Sequence, residues 1–146
     1  KSSLLKLLTG AEIPHTGTFC ADSNLLISYV PQNTSFLKGS LSDFALQYHI
    51  EESLFKTILR KLDFERTQLQ MDMQLLSEGQ KKKVLIAKSL CEQAHLYVWD
   101  EPLNFIDIYS RMQIEELLLE FTPAMIFVEH DQTFCRKIAT KTLDLQ

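Results

Sequence analysis

The stretch LYVWDEPLNFID, residues 96–107, decides the fold. Leu96-Tyr97-Val98-Trp99 is apolar without alternation, the pattern of a strand covered on both faces in a parallel sheet. It ends in Asp100 and Glu101, neighbouring carboxylates that repel one another unless a cation, a substrate or solvent compensates them. Pro102 cannot donate to a sheet ladder, so the strand stops there. The pattern predicts a buried strand whose tip faces something that balances two negative charges.

Outward from that strand, AMIFVEHD at 124–131 is again apolar without alternation and ends in Glu129, His130 and Asp131. DIYSRMQIEELLLEF at 107–121, with Met112, Leu118 and Leu119 among charged neighbours, reads as the crossover helix of a βαβ unit. ISYVPQ at 27–32 is a third strand, closed by Pro31, which leaves Gln32 at its end, and TGTF at 16–19 is a further candidate. Leu4, Leu5, Leu7 and Leu8 share one helical face and Thr9-Gly10 is a stop, so residues 2–8 are predicted helical. This apolar run is too short for a secretory leader and is interrupted by Lys6, so the chain is expected to open on a helix already under way.

Residues 36–72 turn helical, with Leu54, Ile58 and Leu62 at helical spacing. In LLSEGQKKKVLIAKSLCEQ, at 75–93, Ser77 with Gln80 three residues on is a capping box, and a helix runs from it toward Cys91. A short helix over 133–140 and a last strand in KTLDL, 141–145, complete the pattern. The fold class is α/β, a mostly parallel sheet flanked by helices, with a small helical subdomain at about 36–93.

With 146 residues, 45% of them hydrophobic, the chain suits one domain, 1–146, with a real core. No internal repeat, low-complexity tract or Gly/Ser linker marks a second domain. A net charge of -4 argues against a broad nucleic-acid footprint and leaves room for a local basic patch. Cys20, Cys91 and Cys135 are scattered and without a CxxC, which suits reduced thiols in a cytosolic setting and not a metal cluster. No apolar run approaches the roughly 20 residues that span a bilayer. Met71, Met73 and most of the nine Phe residues read as packing side chains.

In open α/β sheets, ligands bind beyond the carboxyl ends of the strands, so Gln32, Asp100-Glu101 and Glu129-His130-Asp131 are expected to converge. Taken singly, each has a plain alternative: strand-end acids are often just solvated, and a lone His more often packs or caps than catalyses. The ordered set Lys1-Ser2-Ser3, Gln32, Leu76-Ser77-Glu78-Gly79-Gln80, Asp100-Glu101-Pro102, Asn104 to Asp107 and His130 goes further. It resembles the nucleotide-binding domain of ATP-binding-cassette (ABC) proteins along essentially the whole chain. The resemblance implies a P-loop NTPase-type sheet, with ATP and Mg²⁺ as cofactors.

Lys1-Ser2-Ser3 resembles the tail of a GxxxxGK[ST] phosphate loop whose glycines would precede Lys1; a surface Lys before a Ser cap is the plain alternative. In the family role Lys1 reaches the β- and γ-phosphates, Ser2 ligates Mg²⁺, Ser3 belongs to the same phosphate-binding turn, and the helix start offers N–H groups and a positive dipole. LSEGQ resembles the signature LSGGQ, with Glu78 in place of a Gly, although capping alone would also explain Ser77 and Gln80. The resemblance gives Ser77 and Gly79 to the γ-phosphate held by a second cassette and counts Gln80 among the nucleotide-binding residues. It makes Asp100 the Mg²⁺-organising carboxylate, Glu101 the base that polarises water, Gln32 the sensor of metal and water, and His130 a γ-phosphate contact. NFID at 104–107 resembles the loop that joins two cassettes, with Asp107 its acidic end and part of the nucleotide site.

WDEPLNFIDI, LSEGQKKKVLIAKSL and MIFVEHDQTFC are more similar to the ABC-F branch, the lincosamide, streptogramin and pleuromutilin resistance group, than to transporter motors, which usually carry DEPTSALD. The compact interval between Gln32 and Leu76 points the same way. This implies a cytoplasmic ATPase, partnered by a second ABC cassette, that acts on the ribosome near its tRNA exit region and protects it from antibiotics. The motor domain of a membrane transporter is the alternative; a non-enzymatic half that lends its signature helix to a partner's ATP site is a third reading. Lacking the phosphate-loop glycines, the chain alone is expected to bind nucleotide poorly. Lys81-Lys82-Lys83 reads as a solvated helix face, with ribosomal RNA contact as the other possibility.

Overall fold

Three parallel strands, β1 (Ile27–Val30), β2 (Leu96–Asp100) and β3 (Met125–Val128), form one sheet in that order in the computed structural model, which describes residues 1–145. Val30 stands opposite Trp99, and Asp100 opposite Val128, so the carboxyl ends of all three strands lie along one edge. β2 is central, and Val98, Trp99 and Asp100 are buried, as the unalternating pattern predicts. Trp99, fully buried, keeps its indole N–H satisfied by donating to Ser89 Oγ at 2.8 Å.

Among the described residues six helices accompany the sheet: α1 (Ser2–Leu8), α2 (Leu41–Gln47), α3 (Glu52–Lys61), α4 (Glu78–Cys91), α5 (Ile108–Phe121) and α6 (Gln132–Ile138). The capping box at α4 forms reciprocally: Gln80 N–H donates to Ser77 Oγ at 3.2 Å, and Ser77 N–H to Gln80 Oε1 at 2.9 Å. α3 packs on α4 and α4 on β1, around a core that includes Phe55, Leu59, Leu62, Met73, Ile86 and Trp99. α5 is the crossover between β2 and β3; Ile114, Leu117 and Leu118 face inward, while Met112 and Leu119 are exposed. No helix among the described residues is long and apolar enough to cross a membrane.

Several expectations are corrected. Residues 16–19 are not a strand: all four are exposed and irregular, and without a partner edge or a buried face the TGTF pattern has nothing to pair with. Residues 141–145 are likewise exposed and irregular. β3 is an edge strand with Ile126 exposed, so it is not covered on both faces. The helical stretch at 36–72 resolves into α2, α3 and one short 3-10 turn, Gln68–Gln70, with a second, Met73–Leu75, just beyond it; Ile58 and Leu62 are buried but Leu54 is not. On α1 only Leu5 is buried, and Leu4 points to solvent.

Candidate functional site

Because the strands are parallel and in register, the residues that follow them meet. Gln32, just beyond β1, donates from Nε2 to Glu101 Oε2 at 3.1 Å. His130, just beyond β3, offers its Nε2–H to Glu101 Oε1, also at 3.1 Å. Both oxygens of the carboxylate after β2 are therefore held from opposite sides. Glu101 itself lies in the left-handed region, φ +49°, a strained setting of order 1–3 kcal/mol for a residue with a side chain, and its N–H is fixed by Val128 O at 2.8 Å. An open crevice of about 260 Å³ lies over this cluster, lined by Glu101, Asn104, Arg111, Glu129 and His130 among others.

Two supports escaped the sequence reading. Glu129 lines the crevice but is held by backbone groups: its Oε2 accepts from Leu103 N–H at 3.0 Å and its Oε1 from His130 N–H at 2.8 Å, so this acid braces the loop after β2 and the turn after β3. Arg111 donates from Nε to Ile106 O at 2.9 Å and from Nη1 to Asp131 Oδ2 at 2.8 Å, tying the same two segments together. Nothing in their spacing marks either role.

Asp100 is 1% exposed, and its Oδ1 is buried without a hydrogen-bond partner among the described residues. An orphaned carboxylate oxygen is costly in a protein interior, and beside Glu101 at a strand tip it fits a bound cation. No cluster of three or more His, Cys, Asp or Glu able to hold a metal occurs among the described residues. A cation at Asp100 would therefore take most of its ligands from hydroxyl, amide, phosphate and water oxygens, the donor set Mg²⁺ favours.

The start of α4 forms a seam with the loop after β2. A side chain on Gly79 would put its Cβ 2.4 Å from the carbonyl oxygen of Phe105, so the loop seats directly on the first turn of α4. Asp107 caps α5 by accepting from Ser110 N–H at 2.9 Å and pairs with Lys83 at 2.9 Å. Burial pushes its carboxyl up, but the hydrogen bonds from Lys83 and Ser110 outweigh this and hold it at about 2. Glu78, where the signature pattern has a Gly, accepts from Thr34 Oγ1 at 2.6 Å, so it is anchored to the loop after Gln32.

The lysine run is a correction. Lys82 and Lys83 are 2% and 7% exposed, neither a solvated face nor a surface for RNA. Lys82 donates from Nζ to Pro31 O at 2.9 Å; burial lowers its pKa while the carboxylates of Asp100, Glu101, Glu129 and Glu78 act to raise it. The signal was present: Lys82, Ile86 and Ser89 recur at i, i+4 and i+7, the buried face of α4.

Lys1, Ser2 and Ser3 stand at the start of α1, which packs against β2. Among the described residues no hydrogen bond or ion pair joins their side chains to Gln32, Asp100, Glu101 or His130. The structure thus gathers Gln32, Glu101 and His130 around one point, with Asp100 buried beside it, and sets Gly79 and Asp107 in the adjoining seam, while Ser77 and Gln80 cap α4.

A family model described as ABC transporter matches residues 1–104. ABC transporter F family member 2 of Arabidopsis thaliana is 29% identical over 154 residues, which cover 100% of this chain and 22% of that protein. ATP-binding protein Uup of Buchnera aphidicola subsp. Acyrthosiphon pisum is 30% identical over 149 residues, 97% of this chain and 25% of that protein. The chain thus spans about a quarter of the length of these curated relatives. Its fold is similar to that in the crystal structure of the complex of archaeal ribosomal stalk protein aP1 and archaeal ribosome recycling factor aABCE1, with a TM-score of 0.73 at 24% identity over 94% of this chain and 28% of that one. With the family model matching well over half of its residues and its strand tips converging on Glu101, the chain belongs to the ABC transporter family as an ATPase cassette with F-type relatives.

Proposed function

We propose that this chain supplies the hydrolytic centre of a Mg²⁺-dependent, cytoplasmic ATPase of the ABC-F type that works on the ribosome. The observation that carries the reading is the clasp of Glu101 between Gln32 and His130, each at 3.1 Å. A carboxylate held at both oxygens is aligned to polarise an attacking water, and alignment of this kind accounts for much of an enzyme's acceleration. Gln32 and His130 orient Glu101, and His130, exposed at the crevice mouth, would reach a terminal phosphate. Asp100 would hold Mg²⁺ with Ser2 and Gln32, the ion neutralising phosphate charge. Lys1 and Ser3 would receive phosphate oxygens at the start of α1.

Ser77, Gly79 and Gln80 open α4, and with Asp107 they would contribute to a site shared with a second cassette. Phe105, Ile108, Tyr109 and Met112 stand exposed on the loop and first turns of α5, an apolar surface suited to such a partner. The F-type relatives favour ribosome work, with protection from antibiotics as its narrower form; the family description keeps a transporter motor as the second reading.

The test uses full-length protein with Glu101→Gln. Turnover of ATP should fall by roughly 10²–10³-fold, the scale of losing a catalytic group, while bound ATP persists. In the ribosome reading this variant co-sediments with ribosomes only when ATP is present, and the intact protein raises drug tolerance in cells. Unchanged turnover removes Glu101 from the mechanism; ATP-independent or absent ribosome binding favours the transporter.

A further inference from the structure

We propose that Lys82 is a positioning residue for hydrolysis, its buried ammonium tying the start of α4 to the tips of β1 and β2 so that Gln32 and Glu101 take their places from α4. The proposal rests on the ATPase reading above. Lys82 Nζ donates to Pro31 O at 2.9 Å and lies 3.4 Å from both Gln32 O and Asp100 O. Three ammonium protons thus meet three carbonyls, belonging to the residue before Gln32, to Gln32 itself, and to the residue before Glu101.

A buried ammonium is costly to desolvate and stays only where its surroundings satisfy it. Lys82 is 2% exposed, and among the described residues no carboxylate lies within ion-pair distance of it. An apolar side chain of similar volume avoids desolvating a charge, but it leaves these carbonyls without a donor and the nearby carboxylates without their cation, so it should lower stability as well. What an apolar side chain cannot do is fix the direction of three backbone carbonyls at once. The peptide units so fixed carry the side chains of Gln32 and Glu101. On the next residue, Lys83 grips Asp107, and Gly79 seats Phe105, so the first turns of α4 hold the loops after β1 and β2 together. A shift of α4 would therefore reach Glu101 through Lys82.

The experiment compares wild type, Lys82→Met and Lys82→Gln in the full-length protein, measuring thermal stability, KM for ATP and kcat. Lys82→Met should fold with a lowered melting temperature and, assayed well below it, keep KM within about 2-fold and lose about 10- to 100-fold in kcat, the effect of misplacing a catalytic group without touching substrate binding. Lys82→Gln, which keeps two donors, should lie between. A folded Lys82→Met with kcat within about 2-fold of wild type would overturn the proposal. So would failure of both variants to fold, which would make Lys82 a structural group. An active wild type with an active Lys82→Met sinks this inference alone, whereas a wild type that hydrolyses no ATP sinks the ATPase reading and this inference with it.

Discussion

Gln32, Glu101 and His130 meet through side-chain hydrogen bonds at an open crevice, whereas Gly79, Phe105, Lys83 and Asp107 meet in the adjoining seam through close backbone approach and a largely buried ammonium. The first cluster is wet, and its hydrogen bonds compete with water, so each adds on the order of 1 kcal/mol or less to stability. The second is close-packed and forgives little. Chemistry and fold thus weigh differently in the two: changes at the strand tips should cost turnover with little loss of stability, whereas changes at the seam should cost stability in addition to any part it has in the site.

Glu101→Gln is the sharpest way to break that division. Its expected loss of roughly 10²–10³-fold in turnover should come with an almost unchanged melting temperature, since the amide keeps the size and one acceptor of the carboxylate. A large fall in melting temperature would mean that the strand tips hold the fold as well. Gly79→Ala tests the other side. The added Cβ has only 2.4 Å to the Phe105 carbonyl, and overpacking against backbone costs about 1–3 kcal/mol, to be read from the urea midpoint. An unmoved midpoint would mean that the loop yields freely and that the seam is not tight.

The smallest effect belongs to Asp107→Asn. Lys83 and Ser110 hold the Asp107 carboxyl at about 2, below its unfolded value near 3.9, so its stabilisation is present above the ordinary carboxylate range and is lost as pH falls toward about 2. Half of the side chain faces solvent, which screens the pair to under about 1 kcal/mol. Wild type should exceed Asp107→Asn slightly at pH 7, and the gap should close between about pH 4 and pH 2. A gap that survives below that window would place the effect in packing or capping.

The strand tips were legible in the sequence because burial, polarity and chain breaking coincide there. Trp99 to Pro102 announces a covered strand, two acids and a stop in four residues, and Pro31 isolates Gln32 in the same way. Ser77 and Gln80 revealed the start of α4 because a capping box is a local device. The lysine run was misread because three successive charges look solvated, whereas a helix turns the second and third inward when carbonyls and Asp107 await them, partners supplied by residues far along the chain. Residues 16–19 and 141–145 had strand-like composition, but pairing is a property of neighbours that composition does not contain. The approach of Phe105 to Gly79 was likewise hidden, since it depends on a left-handed turn in the loop, φ +65° at Phe105.

The central claim is that Gln32 and His130 act through Glu101, and a kinetic cycle in the full-length protein tests it most directly. Gln32→Ala and His130→Ala should each lower kcat by about 10-fold or more alone, and by distinctly less when Glu101 is already Gln, the remainder being their own contacts with Mg²⁺ and phosphate. Losses that multiply in full on the Glu101→Gln background would contradict the account, because the two side chains would then be working independently of the carboxylate they touch.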